Sequence, residues 1–134
     1  MRKILMLTLF LFLSNLIFFS CDNENSEIER YKNGYRDPEI IGKWLLIKSN
    51  ISDHRYEIQL NSIGEWWGEF IFDSGYHQRD FEGYYFTKNN TIYRYLPGSF
   101  KESSQKFNFP YQINNDTLKI FYSNEPYIYL RINE

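Results

Sequence analysis

Apolar and polar residues alternate in short segments from Gly42 to the end of the chain, with turn-forming residues between them. This pattern is typical of antiparallel strands that bury one face, and their close spacing favours a sandwich or a barrel. Hairpin turns are predicted at Asn89-Asn90 and at Asn114-Asn115-Asp116, whose side chains tolerate positive φ. Pro97-Gly98 ends the fifth strand and opens the longest loop, Gly98–Lys106. The pattern predicts eight strands: Lys43–Ser49, Tyr56–Leu60, Trp66–Phe72, Phe81–Thr87, Thr91–Leu96, Phe107–Ile113, Thr117–Tyr122 and Tyr127–Ile132.

The same alternation assigns the two faces of the last strand. Ile128, Leu130 and Ile132 lie on one side and form its apolar face. The alternating residues from Tyr127 to Arg131 then lie on the opposite side, which we expect to be the solvated one.

The first 21 residues have a basic start at residues 2–3, an almost continuous apolar run over 4–19, and then Ser20-Cys21. This is the order of a secretory signal with a cleavage site after a small residue. The segment Ile17-Phe18-Phe19-Ser20-Cys21 resembles a bacterial lipobox, in which the cysteine is diacylated and becomes the new N-terminus. Phe18 departs from the lipobox pattern, which usually has Leu there. The resemblance implies lipidation of Cys21 by palmitate-like acyl chains.

Other interpretations of this segment are less consistent with its composition. A transmembrane helix needs about 20 apolar residues, whereas this run is shorter and contains Ser14 and Asn15. A plain secretory peptide more often has Ala-x-Ala before the cut, and the chain contains no alanine. Cys21 is the only cysteine, so no disulfide can form within the chain.

Residues 22–37 are polar and charged, with Ile28, Tyr31 and Tyr35 as the residues available for burial. This composition predicts a flexible tether, and a coil of this length reaches roughly 20–25 Å. Pro38 ends the tether and Glu39-Ile40-Ile41 predicts a short helical turn, after which no segment shows helical periodicity. The predicted units are a signal peptide over 1–20, a polar tether from the acylated cysteine over 21–37, and a barrel over 38–134.

Gly42-Lys43-Trp44, at the start of the first strand, resembles the Gly-x-Trp signature of lipocalins. Two hairpin segments, residues 84–93 and 111–120, are similar to those of small Gram-negative lipocalin-like lipoproteins. The resemblance covers about residues 40–134 and implies an eight-stranded, antiparallel, up-and-down barrel. It also implies that Trp44 closes one end of the barrel and packs against an arginine near the last strand. Arg131 is the candidate for that arginine, although alternation places it on the solvated face.

Composition limits the classes of partner. The chain has 15 basic and 17 acidic residues, and without the two basic residues of the signal the counts are 13 and 17, a net charge of −4. The basic residues are scattered singly, so no nucleic-acid partner is expected. An eight-stranded barrel is either filled by side chains or holds one small ligand. The many inward aromatic residues favour a filled interior, because an apolar ligand site needs about 300 Å³ or more.

Trp66-Trp67 is the most unusual feature of the strands. Neighbours on a strand face opposite sides, so we expect one tryptophan to face out and the other to join Phe70 and Phe72. An outward tryptophan beside acidic residues offers a platform for a sugar ring. The alternative, which we favour, is that it packs under a loop or over the barrel mouth.

Catalytic and metal sites are not expected. Neither histidine, His54 or His77, has a second histidine at ligand spacing, and a solvated loop is the better interpretation of Asp73, His77 and Asp80. No Gly-x-Ser-x-Gly motif and no phosphate-binding glycine loop is present. Asp116-Thr117-Leu118 resembles an O-glycosylation sequence of exported Gram-negative proteins, with Thr117 as the acceptor, but it also fits an Asx turn that enters a strand.

These features together predict a non-catalytic, lipid-anchored protein of the bacterial cell envelope without a cofactor, with the outer membrane favoured over the inner one. The expected partners are the membrane, through acylated Cys21, and either a small apolar ligand or another protein. A glycan-binding module that uses Trp66 or Trp67 is an alternative. A further alternative is an inhibitor or accessory of another envelope protein that acts through the loop Gly98–Lys106.

Overall fold

The computed structural model describes residues 24–48, 54–99 and 102–133. Eight antiparallel strands follow one another in chain order and close into a barrel, because β1 pairs with β8. The predicted all-β fold with its eight-stranded, up-and-down barrel is confirmed. The strands are β1 (Gly42–Lys48), β2 (Arg55–Leu60), β3 (Glu65–Ile71), β4 (His77–Lys88), β5 (Thr91–Leu96), β6 (Gln105–Asn114), β7 (Thr117–Ile120) and β8 (Tyr127–Ile132).

Strand β4 differs most from its predicted bounds, since it begins at His77 rather than at Phe81. Its first four residues are polar and exposed, so no alternation marks them in the sequence. His77, Gln78 and Arg79 nevertheless pair with β3, beyond a register shift at which Asp80 is left unpaired. The N-terminal part of β4 is thus a strand because its backbone pairs with β3, although its side chains are not buried in the core.

The predicted hairpin turns have the expected backbone. Asn89 and Asn90 join β4 to β5 with φ values of 51° and 54°, and Asn115 has a φ of 53° in the turn between β6 and β7. Asparagine tolerates this left-handed region because its short polar side chain bonds to the local backbone. The turns therefore lie where the sequence places them.

The barrel has two distinct ends. The closed end carries the loops at 61–64, 89–90 and 115–116, together with a 3₁₀ turn (Pro38–Ile40) that precedes β1. The open end carries the loops at 72–76, 97–104 and 121–126. Ile40, in the 3₁₀ turn, is fully buried against the core, so this turn covers the closed end. The core consists of side chains that point into the barrel from all sides: Ile40, Trp44, Ile58, Leu60, Trp66, Tyr85, Ile92, Tyr111, Leu118, Ile120 and Tyr129.

The predicted faces of β8 are wrong. Tyr129 points into the barrel and is 1% exposed, whereas Leu130 is 40% exposed on the outer surface. Both faces of this strand carry apolar side chains, so alternation alone could not choose between them. The Tyr129 hydroxyl lies 3.1 Å from that of Tyr122, and this partner inside the barrel satisfies the buried polar group.

The segment before the barrel is not the flexible coil that composition predicts, and in the described part this expectation is wrong. Residues 24–32 form an α-helix, here called the N-terminal helix, that lies on the outer wall of the barrel. Tyr31 is buried between Phe86 and Tyr95, with ring centroids 5.0 and 5.4 Å away. Arg36 adds hydrogen bonds to the carbonyls of Tyr31 and Lys32 at the helix end. These tertiary contacts order a segment that is otherwise too polar to fold alone.

Candidate functional site

A cavity of about 240 Å³ opens into the barrel at its open end and is here called the mouth pocket. Trp44, Trp66 and Tyr85 fill the half of the interior near the closed end. The prediction that side chains fill the barrel is therefore correct for that half, whereas the half near the open end contains the mouth pocket. The pocket is larger than the roughly 150 Å³ that holds a benzene molecule and slightly below the usual range for drug-sized ligands. Its lining is mostly aromatic: Leu46, Tyr56, Phe70, Asp80, Phe81, Arg94, Tyr122, Tyr127 and Tyr129.

Arg94 is the cationic group of this pocket and is 7% exposed. It lies on β5 at an inward position two residues after the buried Ile92. None of the ion pairs among the described residues includes Arg94, and its Nε has no hydrogen-bond partner. Burial lowers the pKa of its guanidinium from the ordinary value. The Asp80 carboxylate of the same lining attracts this guanidinium but forms no ion pair with it. A buried cation that no anion contacts directly is costly, so the guanidinium favours an anionic guest.

Aromatic rings compensate part of that cost. The guanidinium carbon of Arg94 lies 3.6 Å from the centroid of the Phe81 ring and 4.7 Å from that of Trp66. Cations are attracted to the faces of such rings, more strongly where water is excluded. The Nε–H of Arg94 therefore remains a donor without a hydrogen-bond partner among the described residues.

Three tyrosine hydroxyls add neutral donors to the pocket. Tyr56 donates to Asp80 over 3.0 Å, while the hydroxyls of Tyr122 and Tyr129 form a pair. In such a pair one proton is shared and the other stays available for a further acceptor. Burial raises the pKa of Tyr122 to about 12 and also raises the pKa of Tyr56 and of Tyr129. All three hydroxyls remain protonated at neutral pH. Because Tyr56 donates to Asp80, the free proton of the Tyr122–Tyr129 pair is the one that can donate to a bound oxygen.

The opposite end is sealed by the residues that the Gly-x-Trp resemblance implies. The indole of Trp44 donates to the carbonyl of Ile40 over 2.9 Å, and the Arg131 guanidinium lies 4.2 Å from the centroid of the Trp44 ring. Arg131 also donates to the carbonyl of Ile41. Gly42 has a φ of 147°, and a Cβ there would come within 2.8 Å of Arg131. These residues close this end of the barrel and do not form a binding site there.

Trp66 and Trp67 face opposite sides of β3, as predicted. Trp66 is fully buried against Phe81, Tyr85 and Phe109. The expected partner Phe72 instead lies beside Tyr76, beyond the strand. Trp67 is on the outer wall, where the guanidinium of Arg79 lies 5.2 Å from its ring centroid. Trp66 is therefore excluded as a surface glycan contact, and one face of Trp67 is shared with Arg79.

A larger cleft, here called the outer groove, lies outside the barrel near its closed end. Its volume is about 980 Å³, and Phe86 and Tyr93 stack along it with centroids 4.9 Å apart. Its buried polar groups already have partners, since Tyr111 donates to Asp37 over 2.8 Å and the backbone of Asp37 donates to Thr87. The smaller mouth pocket is the stronger candidate because its charge is unpaired.

The remaining candidate residues are not brought together. Thr117 begins β7, and the neighbouring Asp116 carboxylate lies 3.4 Å from Arg131. His77 lies 3.5 Å from Glu69, and no cluster of potential metal ligands occurs within the described ranges. Cys21 lies outside the described residues. No helix of the described part is long and apolar enough to cross a bilayer.

Sequence reasoning did not single out Arg94. The available signal was a charged side chain at an inward position of β5, on the same face as Ile92. The contribution of Tyr129 was missed because its strand was assigned the wrong inner face. Tyr56 and Tyr122 were assigned to strands without a role.

Comparison with protein-family models and with curated protein sequences found no match. Similar solved structures include a lipocalin-like protein and a lipoprotein. A lipocalin-like protein from Bacteroides uniformis has 18% identity and a TM-score of 0.54, covering 70% of this chain and 99% of that one. The lipoprotein YedD from Klebsiella pneumoniae has 11% identity and a TM-score of 0.51, covering 78% of this chain and 83% of that one. At these identities the likeness shows the fold, which is that of a lipocalin-like barrel.

Proposed function

We propose that this chain is a lipid-anchored envelope protein whose barrel binds a small amphipathic anion in the mouth pocket without catalysing a reaction. The observation that carries the proposal is the buried, unpaired guanidinium of Arg94 at the wall of an aromatic cavity. A guanidinium matches the two oxygens of a carboxylate with two parallel hydrogen bonds. The expected ligand has one such head group and an apolar body that extends toward the open end.

The absence of catalysis is part of the proposal. The mouth pocket holds tyrosines, one arginine and the Asp80 carboxylate, which already accepts from Tyr56. Nucleophilic catalysis needs a nucleophile within hydrogen-bond reach of a base that activates it. The raised pKa of Tyr56 and Tyr129 makes these hydroxyls poor nucleophiles and poor bases at neutral pH.

The binding claim is tested with decanoate and its neutral counterpart decanol, by calorimetry on Cys21→Ser protein made without residues 1–20. We expect decanoate to bind more tightly than decanol, and Arg94→Met to weaken decanoate binding at least about tenfold. Arg79→Met, on the outer wall, is the matched control and should leave the binding unchanged. If decanoate and decanol bind alike, or Arg94→Met has no effect, the proposed function is wrong.

Anchoring is supported by the lipobox-like segment and by the likeness to a structure named as a lipoprotein. One acyl chain holds a protein on a bilayer only marginally, whereas two hold it stably. We propose an envelope location with the outer membrane favoured. The intact mass of the protein from its membranes should equal that of residues 21–134 plus the acyl groups. A mass that includes the leader, or that lacks acyl groups, contradicts the anchor.

A further inference from the structure

The N-terminal helix runs along the outer wall from the open end to the closed end. Glu24 and Glu27 lie in a cleft with the open-end loop at 98–104, and the Glu27 carboxylate lies 3.0 Å from the Lys106 ammonium. Gly34, just after the helix, packs so closely on the ring of Phe86 that a Cβ would come within 2.4 Å of its side chain. Arg36 then donates to the carbonyl of Ser62 in a closed-end loop. The start of the described chain is therefore beside the open end.

The path of the helix limits the distance between Cys21, the proposed acylation site, and the mouth pocket. Cys21 is three residues before Glu24, and three residues span at most about 11 Å. A coil over the whole of residues 22–37 would instead reach roughly 20–25 Å from the closed end and would set no orientation. Because the helix is bound to the wall, acyl groups on Cys21 would attach within about 11 Å of the helix start beside the open-end loops.

The open-end rim carries apolar side chains that suit a membrane surface. Ile47, Tyr76 and Phe107 are exposed there, and aromatic rings of this kind favour the headgroup region of a bilayer. Tyr35 and Ile63 are also exposed, at the closed end. The exposed apolar residues therefore do not show which end of the barrel faces the membrane. The position of the helix start, beside the open end, indicates that it is the open end.

We propose that the anchored barrel holds its open end against the bilayer surface, so that a lipid-derived anion leaving the membrane meets the mouth pocket first. The inference rests on the proposed acylation of Cys21. The docked helix keeps residue 24 beside the open end. Tyr31, buried between two rings of the barrel wall, holds the helix in this position.

The orientation is tested with one spin label at each end of the barrel. Because Cys21 is the only natural cysteine, Ser74→Cys at the open end and Ser62→Cys at the closed end each add one labelling site, and both residues are exposed. The acylated full chain is reconstituted in phospholipid vesicles that carry Ni²⁺ on chelator lipids, and flotation verifies the attachment. We expect the Ser74 label to relax faster than the Ser62 label. Tyr31→Ala should reduce this difference, because it frees the helix.

Each other result overturns the proposal and identifies the failing step. Protein that floats with the vesicles but shows equal relaxation at both labels, or faster relaxation at Ser62, contradicts the orientation and leaves the anchor intact. Protein that does not float contradicts the anchor, and the orientation with it. Binding of decanoate by the soluble protein is unaffected in either case, so the pocket is judged separately.

Discussion

At the scale of single residues, Arg94 sets the chemistry of the barrel interior. Its guanidinium lies against the rings of Phe81 and Trp66 and forms no ion pair among the described residues, although the Asp80 carboxylate of the same pocket attracts it. The nearby hydroxyls of Tyr122 and Tyr129 remain protonated donors. We therefore expect an anion to bind here, because the guanidinium would then gain an acceptor.

The raised pKa values of these tyrosines make the free energy of unfolding decrease at alkaline pH. A tyrosine whose folded pKa is raised contributes stability that is complete below the unfolded pKa of about 10 and is lost as pH rises toward the folded pKa. With a folded pKa of about 12 for Tyr122, we expect a loss on the order of 2 kcal/mol between pH 10 and 12 from this residue. Urea unfolding across this range measures the loss.

Tyr122→Phe tests whether the Tyr122 hydroxyl causes this loss of stability at alkaline pH. It removes one titrating hydroxyl together with its bond to Tyr129. The slope of unfolding free energy against pH should decrease in the variant, although the raised pKa of Tyr56 and Tyr129 leaves part of it. An unchanged slope would show that Tyr122 is not the group that titrates.

At the scale of elements, the N-terminal helix is held by few side chains. Tyr31 supplies its buried contact, and the salt bridge from Glu27 to Lys106 is partly exposed and contributes little. A helix of this length is marginal on its own. Arg36 also joins the helix end to the barrel, since it donates to the carbonyls of Tyr31 and Tyr85. Tyr31 is therefore the main buried side chain that holds the helix on the wall, and Arg36 fixes its end.

Replacing Tyr31 should release the helix without unfolding the barrel. Removing a buried aromatic side chain costs about 3–5 kcal/mol, and here that loss falls on the local docking equilibrium. We expect backbone amides of residues 24–34 to exchange much faster in Tyr31→Ala, while amides of the strands keep their protection. Tyr35→Ala is the control, because Tyr35 is 70% exposed. Equal protection in Tyr31→Ala and the native chain would contradict this account of the helix.

At the scale of the whole molecule, the strand pattern and the asparagine turns were sufficient to predict eight antiparallel strands, since each depends on local sequence. The resemblance to lipocalins then selected a barrel over a sandwich. The inner face of β8 was not predictable in this way, because Tyr129 and Leu130 are both apolar enough to bury. The helix was missed because its order comes from Tyr31 packing on Phe86 and Tyr95, residues more than fifty positions away. The mouth pocket was missed because its volume depends on how inward side chains from different strands fit together.

The most direct test of the central claim is a crystal structure of the barrel grown with decanoate. We expect the carboxylate within hydrogen-bond distance of the Arg94 guanidinium, with the acyl chain extending toward the open end. Decanoate in the outer groove against Phe86 and Tyr93, or an empty mouth pocket at saturating decanoate, would contradict the account.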